Sequence, residues 1–160
     1  LCLRQKTLAG HDEKILLEEF IRLCDRFSSK HRPFFFAGHN IREFDIPYLG
    51  RRMMYHHIPL PSYFQLQGKK PWETQMIDTM ELWKFGDYKN FTSLKLLTAV
   101  LGIPGSKDDM DGSMVRSVYY EDSDLDRIAR YCASDVRTLA DVYLRLRGIR
   151  RMERLPLMPA

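Results

Sequence analysis

The sequence lacks long apolar runs and has few cysteines. No run of about 18 apolar residues occurs, and no basic segment leads into an apolar one at the start, so we expect neither a membrane span nor a secretory signal. Cys2, Cys24 and Cys132 are far apart and have neither CxxC nor Cys/His spacing, which argues against a disulfide framework and a zinc site. We interpret them as reduced core residues and expect a cytoplasmic protein.

Charge of one sign does not dominate either. The 25 Lys and Arg residues against 21 Asp and Glu residues give a net charge of +4, which suits a nucleic-acid partner but also occurs in proteins that bind none. No internal repeat or low-complexity tract is visible. A chain of 160 residues with 44% hydrophobic residues is long enough for one domain with a core. We therefore expect a single domain over residues 1–160, with a basic, proline-broken tail at 148–160.

Apolar periodicity predicts three amphipathic helices. The first covers residues 12–27 with Asp12 as N-cap, the second covers 94–101 with Gly102 as a stop, and the third and longest covers 125–147. The expected buried seam of the longest helix consists of Leu125, Ile128, Ala129, Cys132, Val136, Leu139, Ala140 and Tyr143.

Short apolar runs between these helices predict strands. The run at 34–38 is typical of a strand buried on both faces, and it precedes a helix at 46–57 with Pro47 in its first turn. Residues 74–85 fit a strand followed by a helical turn, while the acidic connector at 106–124 has no clear period and is interpreted as a loop. The alternation of strand and helix predicts an α/β domain with a largely parallel sheet.

Polar side chains follow the first predicted strand. Asn40 and Asp45 come just past its end, and functional groups collect at the carboxyl ends of strands in open α/β sheets. Asp45 is therefore a candidate site residue. Because it stands two residues before Pro47, it is equally a reasonable helix N-cap.

A second pair of polar side chains lies inside the longest helix. Tyr131 and Asp135 are one helical turn apart and border the apolar seam. A carboxylate there is costly unless it is paired or bound to a cation. The alternative is a tyrosine with its hydroxyl at the surface and a lone aspartate.

Taken together, the two stretches resemble motifs of the DEDD superfamily of DnaQ-like 3′-to-5′ exonucleases. The segment HNIREFDIPYL resembles the second motif, and YCASDV resembles the third motif in its tyrosine-bearing variant. IDTMELW and SLKLLTAVLGIP resemble the strand and helix between them, and order and spacing agree over residues 12–146. The sequence is most similar to predicted exonucleases related to the proofreading domain of family B DNA polymerases. The resemblance implies an α/β fold with a ribonuclease-H-like mixed sheet flanked by helices.

The resemblance also implies a mechanism. Such enzymes hold two divalent cations, Mg²⁺ or Mn²⁺, which activate water for attack on the terminal phosphodiester. By motif, Asp45 and Asp135 are the expected metal ligands, and Tyr131 is expected to orient the attacking water. Asn40 and Phe44 are expected beside the 3′-terminal nucleotide. Single-stranded DNA is the favoured substrate, although the same residues would serve RNA equally.

The first motif of the superfamily, Asp-x-Glu, does not precede the second motif in this sequence. By the family pattern it belongs before Leu1, so we expect the chain to begin after the first strands. Two carboxylates neutralise two cations less well than four, and we expect the chain to be a poor nuclease. An unpaired sheet edge would favour association of copies by strand exchange. The competing hypothesis is a non-catalytic nucleic-acid-binding relative of the same fold.

Overall fold

The computed structural model describes residues 2–87, 89–105, 110–149 and 156–158. Strands within these residues are β1 (Leu3–Arg4), β2 (Phe36–Gly38), β3 (Met76–Asp78) and β4 (Leu157–Met158). Helices are α1 (Glu13–Lys30), α2 (Asp45–Tyr55), α3 (Thr79–Lys84), α4 (Leu94–Leu101), α5 (Val115–Tyr120) and α6 (Leu125–Leu146). Among the described residues, none of the helices has the length and apolar character that crossing a bilayer requires.

The chain divides into two compact units. We call Gly10–Asp78 the β2–β3 unit, and we call Leu1–Ala9 together with Thr79–Ala160 the α6 unit. The mixed helix and strand composition is the one that the sequence predicts. The described strands form two separate parallel pairs, β1 with β4 and β2 with β3, so the ribonuclease-H-like sheet stays an expectation.

The β2–β3 unit packs two helices and one strand pair around a shared core. Asp12 caps α1 as predicted, since its carboxylate accepts a hydrogen bond from the Ile15 N–H at 3.1 Å. Helix α1 contacts α2. The buried core side chains are Leu17, Ile41, Ile46, Met53, Phe64 and Met76.

Strand β2 is shorter and less buried than the apolar run predicts. It pairs in parallel with β3, with Phe36 opposite Met76 and Gly38 opposite Asp78. The Phe36 ring packs against aromatic neighbours, including Phe64 at 5.7 Å between centroids. Ala37, which points to the other face, is exposed, so burial on both faces is wrong here. The apolar run correctly indicates the packed aromatic face. It does not indicate whether other parts of the protein pack against the second face.

In the α6 unit, three shorter helices pack against α6. Helices α3, α4 and α5 each contact it, and Leu97, Ile103 and Val142 form the buried cluster. Helix α4 ends as predicted at Gly102, whose φ of 62° is the left-handed conformation that favours glycine. Strand β1 pairs in parallel with β4, with Leu3 opposite Leu157.

The buried face of α6 differs from the predicted seam. Thr138, Val142 and Leu144 are the buried residues of the helix, whereas Val136 is 60% exposed. Cys132 is also exposed. The difference arises because α3 to α5 pack on the side that carries the threonine, and apolar spacing alone does not identify the side that neighbours cover.

The cysteines correct a further expectation. Cys24 is buried, and burial raises the pKa of its thiol to about 11. Cys2 and Cys132 are exposed, so the prediction of core positions is wrong for both. All three are free thiols, as the sequence predicts.

The acidic connector is not a loop throughout. Residues 106–109 lie outside the described part of the chain. Beyond them, the Asp111 carboxylate accepts the Ser113 N–H at 2.8 Å and starts a short turn that continues as α5. Val118, only 1% exposed, anchors that helix. In the predicted tail, residues 150–155 and 159–160 also lie outside the described part, and residues 157–158 belong to β4.

Candidate functional site

The turn that follows β2 requires a glycine at its start. A Cβ at Gly38 would lie 2.5 Å from the Ile41 Cβ, which is closer than two non-bonded carbon atoms can approach. Asn40 has a φ of 62°, a conformation that asparagine tolerates better than most residues. Gly38 and Asn40 therefore allow a tight turn between β2 and α2.

A buried aspartate at the end of β3 holds this turn. Asp78 is 3% exposed, and its carboxylate oxygens accept the N–H groups of Asn40 at 2.9 Å and Arg42 at 3.2 Å. Sequence reasoning missed Asp78. A signal existed, because an acid that ends an apolar strand is costly to bury unless donors surround it.

The Arg42 side chain anchors the same turn from the other direction. Its guanidinium donates to the Pro71 carbonyl at 2.8 Å, the Thr74 hydroxyl at 3.1 Å and the Met76 carbonyl at 2.9 Å. These bonds connect the turn to β3 and to the segment before it. Arg42 was also missed, and no spacing in the sequence marks it.

Asp45 is the first residue of α2 and is exposed. The N-cap is Phe44, which makes no side-chain cap bond, so the alternative of Asp45 as the cap is wrong. Partial desolvation raises the pKa of the Asp45 carboxyl, and the negative charge of Asp78 raises it further. A hydrogen bond to its own backbone N–H opposes this shift. A cation would relieve the repulsion between the two carboxylates.

The other two predicted residues of this segment lie in the same unit. The Asn40 side-chain oxygen is buried and has no hydrogen-bond partner among the described residues. The Phe44 ring is 64% exposed and lies parallel to the Tyr48 ring, with 6.3 Å between centroids and 13° between planes. The open aromatic face is available to a ligand, whereas the Asn40 oxygen is enclosed by the protein.

Tyr131 and Asp135 meet on α6 as their spacing predicts. Burial raises the pKa of the Tyr131 hydroxyl, and the neighbouring Asp135 carboxylate raises it further. The pair lies on the helix face of the buried residues Thr138 and Val142, since these positions recur every three or four residues. Tyr131 and Asp135 are both half-buried, so neither side chain lies fully at the surface.

A cleft of about 490 Å³ in the α6 unit is lined by this pair. Lys95 and Asp111 also line it, as does Thr138, which is 2% exposed. The Thr138 hydroxyl has no hydrogen-bond partner within the described residues. Ser93 and Thr98 line it as well, so the cleft combines a cation, two carboxylates and four hydroxyl groups, a donor and acceptor set suited to a polar ligand.

The predicted residues therefore fall into two groups. Asn40, Phe44 and Asp45 belong to the β2–β3 unit, and Tyr131 and Asp135 belong to the α6 unit. Across the described ranges, no group of three or more His, Cys, Asp or Glu residues is arranged to hold a metal. Asp45 and Asp135 are the carboxylates that the motifs offer as ligands.

Comparison with known proteins identifies the family. The sequence model of one family, described as "Predicted 3'-5' exonuclease related to the exonuclease domain of PolB", matches residues 4–154. Comparison with curated proteins and with solved structures gives no match. The match includes both stretches whose geometry is described above, from Asn40 to Asp45 and from Tyr131 to Asp135. The chain belongs to this family of predicted 3′-to-5′ exonucleases related to the exonuclease domain of PolB.

Proposed function

We propose that the protein is a metal-dependent 3′-to-5′ exonuclease that hydrolyses the terminal phosphodiester of single-stranded DNA. The observation that carries the proposal is that Tyr131 and Asp135 line one polar cleft, within a chain whose family is that of predicted exonucleases. A carboxylate and a phenol at one cleft suit hydrolysis, because the first can hold a cation and the second can orient water.

Asp45 and Asp135 are the proposed ligands of Mg²⁺ or Mn²⁺. Both supply the hard carboxylate oxygens that these ions prefer. Partial desolvation, with a smaller contribution from the charge of Asp78, raises the pKa of Asp45, and this supports the assignment because a bound cation would stabilise the ionised carboxylate. When bound, such ions lower the pKa of water and stabilise charge on the scissile phosphate.

Tyr131 is proposed to orient the attacking water by hydrogen bonding. Its raised pKa keeps the hydroxyl protonated at neutral pH, so it acts as a donor and acceptor and does not serve as a base. The helix places Tyr131 one turn from the proposed ligand Asp135. This role predicts a partial loss of rate when only the hydroxyl is removed.

Asn40 and Phe44 are proposed to contact the 3′-terminal nucleotide. The exposed Phe44 ring offers a stacking surface that accepts any base. The Phe44 N–H donates to the Asn40 carbonyl at 3.0 Å, which keeps the two residues together at the turn. Neither contact distinguishes DNA from RNA by itself, so an exoribonuclease of the same fold remains the alternative substrate assignment.

Substitutions on α6 test the proposal. We expect Asp135→Ala to reduce cleavage of a 5′-labelled single strand below detection and Tyr131→Phe to slow it by about 10²-fold. Asp126→Ala is the matched control, because Asp126 is an exposed carboxylate on the same helix. Product ladders on gels with Mg²⁺ or Mn²⁺ give the rates, and circular dichroism checks the fold.

Full activity in Asp135→Ala, with Asp126→Ala equally active, would refute the assignment of the ligand. A Tyr131→Phe rate equal to the wild-type rate would remove the water-orienting role and leave the metal assignment in place.

A second candidate is a nucleic-acid-binding relative without catalysis. The absence of a three-residue metal cluster within the described ranges favours it, because two carboxylates are few for two divalent ions. Under both hypotheses, the exonuclease and the binding relative, we expect the protein to be a poor nuclease. Binding of the labelled strand with no release of nucleotides in Mg²⁺ or Mn²⁺ would identify the binding function. Release that depends on Asp135 would identify the enzyme.

A further inference from the structure

Helix α2 carries a row of exposed aromatic and basic side chains along one face. Four residues recur every three or four positions, counting from the N-cap, which places them on one side of the helix: Phe44, Tyr48, Arg51 and Tyr55. Phe44 is 64% exposed, Tyr48 is 49% exposed and Tyr55 is 68% exposed. We call these four residues the α2 stripe.

The opposite face of α2 explains why the stripe is available. Ile46 is 3% exposed and Met53 is 0% exposed, and both belong to the core of the β2–β3 unit. The helix is thus stabilised through its other side. The stripe residues are not needed to bury that core, and large exposed aromatic groups in a row indicate a binding surface.

The rings of the stripe are arranged for stacking. Phe44 and Tyr48 have parallel planes at 13° to each other, so both present faces of one orientation. The guanidinium carbon of Arg52 lies 4.5 Å from the centroid of the Tyr55 ring, a cation–π contact that holds the ring at the surface. Parallel aromatic faces accept nucleic acid bases of any sequence.

The charge of the helix fits the same ligand. After Asp45, α2 contains no acidic residue and has two arginines, Arg51 and Arg52. Arg52 is paired with Glu13, while Arg51 is exposed. A row of aromatic rings with exposed positive charge complements a strand whose bases stack and whose phosphates are negative.

We propose that the α2 stripe binds the single-stranded nucleic acid upstream of the 3′-terminal nucleotide, with Tyr48 and Tyr55 stacking on two separate bases of that strand and Arg51 contacting phosphate. The inference rests on the proposed function for the identity of the ligand. From Phe44 to Tyr55 the helix rises about 16 Å. At 3.4 Å between stacked bases this length serves at most about five nucleotides.

Binding of oligonucleotides of two lengths tests the proposal. Fluorescein-labelled dT12 and dT2 are titrated with protein in EDTA, where cleavage does not proceed, and anisotropy gives the affinity. We expect Tyr48→Leu and Tyr55→Leu each to weaken dT12 binding about tenfold, because each removes one stacked base. Binding of dT2 should change less than twofold, and Tyr48→Phe should restore dT12 binding.

Two further variants complete the design. Arg51→Gln should reduce the slope of the salt dependence by about one unit, as expected for loss of one phosphate contact. Tyr120→Leu is the matched control, because Tyr120 is an exposed tyrosine on α5 in the α6 unit. It should bind dT12 like the wild type.

A second measurement does not depend on variants. A dT12 strand with 5-iodouracil at one internal position, irradiated with the protein, should crosslink to Tyr48 or Tyr55, as peptide mass spectrometry would reveal.

If the wild type binds dT12 and both leucine variants bind it with the same affinity, the proposed role of the stripe is wrong and the proposed function stands. No binding of dT12 by the wild type would overturn both. Self-association that depends on Tyr48, without dT12 binding, would assign the surface to a second copy instead.

Discussion

At the scale of single residues, Asp78 organises the candidate site without belonging to either motif. Its carboxylate accepts two backbone N–H groups of the turn that leads to Asp45. We expect Asp78→Ala to destabilise the protein by about 1–3 kcal/mol for each donor left without a partner. Asp78→Asn keeps the shape and one acceptor, and about half of that loss should remain. Urea unfolding measures both, and equal stability of Asp78→Ala and wild type would contradict this role.

Two glycines of the β2–β3 unit give opposite predictions for the same substitution. Gly38→Ala places a methyl group against the Ile41 side chain and should cost about 1–3 kcal/mol of unfolding free energy. Gly50→Ala meets only the Phe64 ring, at 3.9 Å, and should stabilise α2 by about 0.5–1 kcal/mol. Thermal unfolding of the two variants distinguishes steric overlap at one position from a general response to alanine. A stable Gly38→Ala variant would show that the turn can relax.

At the scale of elements, an ion-pair cluster connects α1 to α2. Glu13 bonds to Arg52 through both carboxylate oxygens, with 2.7 Å from the Arg52 Nε, and the His56 Nε2 lies 2.8 Å from the same carboxylate. The hydrogen bond from Arg52, aided by His56, lowers the pKa of Glu13 to about 2, while desolvation opposes this shift.

The lowered pKa of Glu13 predicts acid sensitivity. A group with a lowered folded-state pKa stabilises the protein fully above its unfolded value of 4.5, and the contribution is lost as the pH falls toward 2. The urea midpoint of the wild type should therefore fall more steeply than that of Glu13→Gln over this range. Parallel curves for the two proteins would mean that the cluster contributes nothing, as occurs for many exposed pairs.

Some features of the helices and strands can be predicted from the sequence, and others cannot. Helices α1 and α4 were predictable because Asp12 and Gly102 are local signals at their ends. The buried face of α6 was not predictable, since Val136 has the right spacing but is 60% exposed. Asp78 was missed because its partner Asn40 lies 38 positions away in the sequence, and only the parallel pairing of β2 with β3 brings them together. The pairing of Tyr131 with Asp135 needed one helical turn and was therefore visible.

At the scale of the whole molecule, the two units have separate cores. Met53 and Leu97 are each 0% exposed, and they belong to clusters with no member in common. We expect Met53→Ala and Leu97→Ala each to cost about 2–5 kcal/mol. Because the two sites share no neighbours, the double variant should equal their sum within about 0.5 kcal/mol. A larger deviation in denaturant unfolding would show that the two cores are energetically coupled.

The pairing of β1 with β4 sets the order in which the chain completes its structure during synthesis. Leu3 is translated before Leu157, so the strand pair can form only after Leu157 has been made. The β2–β3 unit is continuous from Gly10 to Asp78, so all of its residues are translated before helices α3 to α6. Because the ribosome adds about 5–20 residues per second, this unit has several seconds to fold first. The turn before Asp45 and its partner Asp78 are thus both translated before Asp135.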